Sequence, residues 1–203
     1  MKVISLLQSE GLLWQAAALL ILAGFYETYF KKAAEQKTRG IETDHLARGK
    51  ENGTRYRTEL ILKIASWAAV LAEVLGILFC PPSPSKAMRI GGVVCGMLGT
   101  ALFCAAVYAM RDNWRAGIAE DDETELTTRG IYQISRNPAF LGFDLVYLGI
   151  VMIFFNWMLL AVSVFAAVML HLQILQEEKF LVKTFGSSYL EYSKKVCRYF
   201  GRK

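Results

Sequence analysis

Long apolar runs constrain this chain more than any other feature. A helix crossing about 30 Å of hydrocarbon needs about 20 apolar residues, and residues 11–30, about 60–79 and about 87–110 each supply that length. The second run carries Lys63 near one end and Glu73 inside, and the third carries Gly91, Gly92, Gly96 and Gly99, small residues that let neighbouring helices approach. Residues 139–175 are too long for one span and divide at Asn156-Trp157 into a tight hairpin of two short helices. Apolar residues make up 54% of the chain and charged residues 20%, the latter confined to blocks between the runs. The pattern predicts an all-α fold, a polytopic membrane helix bundle of about five transmembrane helices with cytoplasmic C-terminal helices.

The loops give the orientation. Residues 31–59 hold eight Lys or Arg, residues 111–138 hold four and the tail from Glu177 holds seven, whereas the opposite side has only Lys2, Lys86 and Arg89. The positive-inside rule puts the C-terminus in the cytoplasm and the N-terminus outside. The net charge of +5 then reflects basic loops beside anionic headgroups, not a nucleic-acid partner. Residues 11–30 are too long for the core of a signal peptide, and no small-residue cleavage site follows, so they read as a retained first span. The expected setting is an integral membrane protein of a bacterial cell membrane. Cys80, Cys95, Cys104 and Cys197 lack zinc-ligand spacing, and His45 and His171 are too far apart to suggest a metal site. Residues 1–110 read as three spans with a cytoplasmic loop, and residues 111–203 as the unit that carries chemistry.

Unusual polar residues collect on the cytoplasmic side: Asn113-Trp114, Arg136-Asn137-Pro138, Asp144 and Glu177-Glu178. Pro138 suits the first turn of a helix, whose free amides can bind a carboxylate. Gly142, one turn on, is expected to leave room for a ligand against the backbone. Glu177-Glu178 offers acceptors for an amine or for ribose hydroxyls, or a countercharge for a cation. The tail has apolar or aromatic residues at Phe180, Leu181, Phe185, Tyr189, Tyr192 and Val196, a helical spacing interrupted at Gly186. Gly186 is expected to end one helix and Ser187 or Ser188 to cap the next. The last helix can lie on the membrane surface or fold over the opening of the bundle.

These pieces, "NWRAGI", "LTTRGIYQISRNPAFLG" and "EEKFLVKTFGSSYLEY", resemble in order and spacing the membrane methyltransferases of the isoprenylcysteine carboxyl methyltransferase and phospholipid N-methyltransferase group. That group has roughly Gly-x-Tyr-x-x-x-Arg-His-Pro-x-Tyr-x-Gly, then Glu-Glu-x-x-Leu, then Phe-Gly-x-x-Tyr-x-x-Tyr. The resemblance covers about residues 110–200. It implies S-adenosylmethionine as methyl donor and a lipophilic acceptor reached from the membrane, a phospholipid amine or a carboxylate. It further implies that Tyr132, Asn137, Pro138, Phe140, Leu141, Gly142 and Glu177 line the cofactor site beside Arg136. On the same basis, Glu178 sits between cofactor and acceptor as a catalytic residue with Arg136, and Tyr189 and Tyr192 close the pocket.

Displacement at a sulfonium methyl needs alignment and desolvation more than acid–base machinery, although an amine acceptor must lose a proton, for which Glu178 or Asp144 is available. Three positions depart from the pattern. Asn137 replaces the usual His, as phospholipid N-methyltransferases also allow. Phe140 replaces a Tyr, keeping the ring without the hydroxyl. Gln173 stands where carboxyl methyltransferases of the group place an Arg, and an amide is a poor carboxylate clamp. A sterol-type membrane reductase using NADPH shares an Asn-Pro or His-Pro element but lacks the Glu-Glu and Phe-Gly-x-x-Tyr-x-x-Tyr elements. A non-catalytic membrane scaffold is the third reading.

Overall fold

The computed structural model describes residues 2–48, 53–83, 85–118 and 125–203, the side chains of residues 2–9 excepted. Among these residues the chain is α-helical: α1 Lys2–Thr38, α2 Thr54–Phe79, α3 Lys86–Met110, α4 Pro138–Ile153, α5 Trp157–Phe185 and α6 Ser187–Lys195, with short 3-10 turns at Arg111–Asn113 and Gly130–Gln133. Four helical segments are long and apolar enough to cross a membrane: Glu10–Thr38, Thr54–Phe79, Lys86–Asn113 and Trp157–Phe185. Their outward side chains include Leu20, Leu71, Trp67 and Phe165, all largely exposed, a surface that only lipid covers without penalty.

The fifth expected span is shorter than the others. At 16 residues, α4 rises about 24 Å, less than the full hydrocarbon thickness. Pro138 fixes its start, since a proline at the first helical position costs no hydrogen bond. Phe154 ends it in a non-helical conformation, and Asn156 then caps α5 by accepting a 2.8 Å hydrogen bond from the Leu159 N–H. The hairpin break therefore falls where the Asn-Trp pair places it.

Helices α3 and α4 form the tightest pair, because glycines face each other along the seam. A Cβ on Gly99 would lie 2.7 Å from the Gly142 carbonyl oxygen, and one on Gly149 would lie 2.7 Å from both the Gly92 carbonyl oxygen and the Gly96 nitrogen. Phe25, Phe103 and Phe143 fill the core beside this seam, the first two stacked with ring centroids 4.2 Å apart. Gly142 thus serves helix packing. The room expected there for a ligand is occupied by α3, because residue 142 faces α3 and not the bundle's open side.

The two ends of the bundle differ in charge as the loop tally predicts. At one end Ser83, Cys80 and Asn156 tie the α2–α3 turn to the hairpin: the Ser83 N–H donates to the Ile153 carbonyl (2.8 Å), and the Phe155 N–H donates to Ser83 Oγ (3.3 Å). Residues 31–48, 111–118 and the tail gather at the other end.

Candidate functional site: two cavities that meet

The basic end of the bundle is built rather than loose. Gln36, fully buried on the last turn of α1, donates to the Trp114 carbonyl (2.9 Å) and accepts from Thr43 Oγ1 (2.7 Å). Residues 43–45 pair with Ala116 through two 2.8 Å backbone hydrogen bonds. Gly117 sits at φ +92° with a Cβ position 2.9 Å from the Leu46 nitrogen, so neither the conformation nor the space admits a side chain there. Glu59, fully buried on α2, accepts from Arg55 Nε and from the Ala47 N–H, each at 3.0 Å. The segments after α1 and α3 are thereby stitched together and held to α2.

Below this roof lie two cavities. One, of about 160 Å³, is walled by residues 113–115, 117–118 and 125–127, by Tyr132, Arg136, Asn137 and Glu177, and by Phe185, Tyr189 and Tyr192 of the tail. The other, of about 420 Å³, runs between α1, α2, α4 and α5 among Tyr26, Leu62, Ser66, Phe103, Phe143 and Leu170. Phe30 and Trp67 on its wall are more than half exposed on the membrane-facing surface, which opens this cavity toward lipid. Trp114, Arg115, Gly117, Ala139, Phe140 and Glu177 belong to both walls, so the more polar chamber, hereafter the polar chamber, and the apolar one meet at these six residues.

The tail closes the polar chamber. Gly186, at φ +52°, ends α5, and α6 turns back over the opening with Gly186 itself as its N-cap; neither Ser187 nor Ser188 caps it. Tyr189 is buried and accepts from Arg136 Nη1 at 3.1 Å. Tyr192 donates its hydroxyl to the Tyr132 carbonyl at 2.6 Å. Burial pushes the hydroxyls of Tyr132 and Tyr192 well above their ordinary range, so both stay protonated.

A hook then follows α6. The Arg136 N–H donates to the Cys197 carbonyl (3.1 Å), the Gly201 N–H to the Ile134 carbonyl (2.7 Å), and Asn137 Nδ2 to the Arg198 carbonyl (3.1 Å). Arg198 forks onto Glu178 with contacts of 2.7 to 3.2 Å, and Glu178 in turn holds Arg136 Nη2 at 3.1 Å.

The phospholipid methyltransferase family model matches residues 87–188, half of the chain. The chain belongs to the phospholipid methyltransferase family. No curated protein matches the chain at a significant level. Family membership together with four membrane-length helices makes this an integral membrane protein of the methyltransferase type.

Most of the family-motif residues converge. Tyr132, Arg136, Asn137, Phe140, Glu177, Tyr189 and Tyr192 all wall the polar chamber. Pro138, Leu141 and Gly142 do not; Pro138 starts α4, and Gly142 packs on Phe103 and the Gly99 carbonyl. Glu178 also lies off both walls, paired with Arg136 and Arg198, while Glu177 stands at the junction. Glu177, not Glu178, stands between the two cavities, because adjacent helical residues point about 100° apart and Arg136 and Arg198 hold the second one. The first two spans and the loop between them, which lie outside the family match, contribute Tyr26, Tyr29, Asp44 and Lys63 to the apolar cavity, the last two as a 2.8 Å ion pair. The one sequence signal for them was the placement of Lys63 just inside an apolar run.

Proposed function

We propose that this protein transfers a methyl group from S-adenosylmethionine to an amine at the headgroup end of a lipophilic acceptor. The donor occupies the polar chamber and the acceptor enters the apolar cavity from the bilayer, with the basic end and the C-terminus in the cytoplasm. The observation that carries this reading is Glu177, a carboxylate on the wall shared by the two cavities, with Gln173 Nε2 bound to it at 3.1 Å.

The donor set fits such a cofactor. Arg136 Nε is buried without a hydrogen-bond partner. The N–H groups of Ala139 and Phe140 precede the first intrahelical bond of α4, from the Leu141 N–H to the Asn137 carbonyl, and so have no intrahelical acceptor. A guanidinium and a helix N-terminus side by side suit a carboxylate. S-adenosylmethionine supplies an electrophilic methyl on sulfur and departs as a neutral thioether, which needs no acid.

The chain's own residues do the rest. Glu177 takes the proton that an ammonium must lose before its nitrogen can attack. Trp114 and Phe140 exclude water at the junction, which strengthens the interaction of Glu177 with the amine. Asp44 and Lys63 offer both signs of charge to a zwitterionic headgroup. Gln173, in place of an arginine, is a poor clamp for a carboxylate substrate.

Incubating the purified protein with cofactor labelled in the methyl group and a membrane lipid extract tests the reading. Label is expected in the amine-containing phospholipids. Label in base-labile methyl esters, or in no lipid at all, contradicts it.

A further inference from the structure

The hook after α6 reaches down the outside of the bundle as well as holding the polar chamber. Val196 and Arg202 pair as an antiparallel bridge, and the Cys197 N–H donates to the Gly201 carbonyl at 2.9 Å. Gly201, at φ +109°, gives the turn a backbone conformation that suits glycine. Backbone hydrogen bonds fasten the middle of the hook to Ile134 and Arg136, just before α4 begins. Its tip goes further. The Tyr199 hydroxyl and His171 Nδ1 share a 2.6 Å hydrogen bond, and the two rings stack with 15° between their planes. Asp144, six residues into α4 and so about 9 Å along its axis, is an electrostatic neighbour of Tyr199.

That depth lies within the hydrocarbon. Trp157, largely exposed at the far end of α5, marks the opposite interface. His171 follows fourteen residues later, about 21 Å along the helix, short of the roughly 30 Å that hydrocarbon spans. Val168 and Leu172, which flank His171, are exposed on the lipid-facing side of α5. Phe200, beside Tyr199 at the tip, is 68% exposed. At this depth its ring meets acyl chains, not water.

The base of the hook carries charge of one sign. Lys194, Lys195, Arg202 and Lys203 are exposed, and Glu191 is the one acidic side chain among residues 187–203. Arg198 is already held by Glu178. Lys194, Lys195 and Arg202 make no ion pair or side-chain hydrogen bond with any described residue, and Lys203 Nζ reaches only the Ser193 carbonyl, at 3.4 Å. Three residues separate Val196 at the base from Tyr199, up to about 10 Å of extended chain. Cations at that height above an aromatic tip match the step from headgroups to acyl chains.

We propose that the hook is a docking surface for an anionic leaflet, and that docking it tightens cofactor binding. Phe200 sits among the acyl chains and the four cations among the headgroups. The proposed orientation puts this leaflet on the cytoplasmic side, where anionic lipids concentrate. A basic amphipathic tail can cover the bundle or lie in the membrane; here α6 does the first and the hook the second. The coupling is direct, because the Cys197 and Arg198 carbonyls hold the Arg136 N–H and Asn137 Nδ2, two residues that wall the polar chamber. A hook already held by the leaflet leaves the cofactor less disorder to remove, so each binding event favours the other.

The coupling rests on the proposal that the polar chamber holds S-adenosylmethionine, whereas the docking does not, and two readouts keep them apart. Protein is placed in nanodiscs of phosphatidylcholine with or without phosphatidylglycerol. Amide exchange across residues 186–203 reports docking, and calorimetric titration with S-adenosylhomocysteine reports coupling. Phosphatidylglycerol should slow exchange in wild type and tighten S-adenosylhomocysteine, each at least about fivefold. Both gains should vanish at about 1 M salt, where charges are screened within about 3 Å. Combining Lys194→Gln, Lys195→Gln, Arg202→Gln and Lys203→Gln should abolish both gains while leaving wild-type affinity in the neutral bilayer, which shows that the variant is folded. Phe200→Ser should speed exchange in both bilayers. Lys31→Gln with Lys37→Gln, exposed cations on α1 at the same end of the bundle, should respond as wild type does. Equal exchange in the two bilayers, or a lipid effect that survives in the four-cation variant, overturns the docking surface. Slower exchange with unchanged S-adenosylhomocysteine affinity overturns the coupling. Slower exchange with no S-adenosylhomocysteine binding in either bilayer contradicts the cofactor reading and leaves the docking surface standing.

Discussion

Glu178→Gln separates holding the cofactor site from doing its chemistry. In the structure Glu178 touches neither cavity; it neutralises Arg136 and Arg198 and so fixes the guanidinium that walls the polar chamber. Hydrogen bonds to charged groups contribute about 1.5–3 kcal/mol when buried. The Arg136 and Glu178 side chains are 10% and 13% exposed, so their pair counts near the low end of that range. Arg198 is 36% exposed, and solvent reduces its pair to about 1 kcal/mol or less. Glutamine keeps one acceptor oxygen, so the expected loss is about 2 kcal/mol, or a melting point lower by roughly 4–8 °C for a chain of this size. A loosened Arg136 should weaken S-adenosylhomocysteine by roughly tenfold in a calorimetric titration. Turnover at saturating cofactor should stay within about threefold of wild type, because Glu178 contacts no reacting atom in this account. A variant with wild-type melting and cofactor affinity but turnover reduced by about 100-fold would place Glu178 at the reacting atoms and refute this reasoning.

Further expectations follow from the packing and the site. Gly149→Ala forces a Cβ to 2.7 Å from two backbone atoms of α3 and should cost about 2 kcal/mol or more in thermal denaturation, whereas Gly11→Ala, with nothing within 4 Å, should cost nothing. Tyr192→Phe removes the 2.6 Å hydrogen bond to the Tyr132 carbonyl and should lower stability by about 1 kcal/mol, with cofactor affinity reduced more than turnover. Gln173→Arg places a guanidinium against Glu177, now 3.1 Å from Gln173 Nε2, and should lower methylation of an amine lipid at least tenfold while S-adenosylhomocysteine still binds.

Much of the architecture was legible in the sequence because it rests on local rules. Apolar run length marked the spans, the Asn-Trp pair marked the hairpin through a capping side chain, and Gly186 marked the end of α5 through its left-handed backbone. The glycines of α3 announced a close neighbour, although nothing local said that Gly142 and Gly149 would be that neighbour. The site was legible only as far as its motif reached. Arg136, Asn137 and Glu177 wall one chamber, but the orientation of Glu178 depends on Arg198, twenty residues on, in a hook with no periodic signal. Asp44 and Leu46 join the apolar cavity through the pairing of residues 43–45 with Ala116, a contact across more than seventy residues that no spacing reveals, and Asp44 there meets Lys63 of α2.

The central claim is that the polar and apolar cavities meet at Glu177 and that this carboxylate takes the acceptor's proton. A single-turnover measurement addresses it most directly: protein preloaded with methyl-labelled cofactor is mixed with dioleoyl phosphatidylethanolamine, quenched, and assayed for label in the lipid. Wild type should transfer label rapidly. Glu177→Gln, which preserves the shape of the junction and should bind both partners, should transfer at least about 100-fold more slowly. Transfer at the wild-type rate by Glu177→Gln, with both partners bound, would contradict the account.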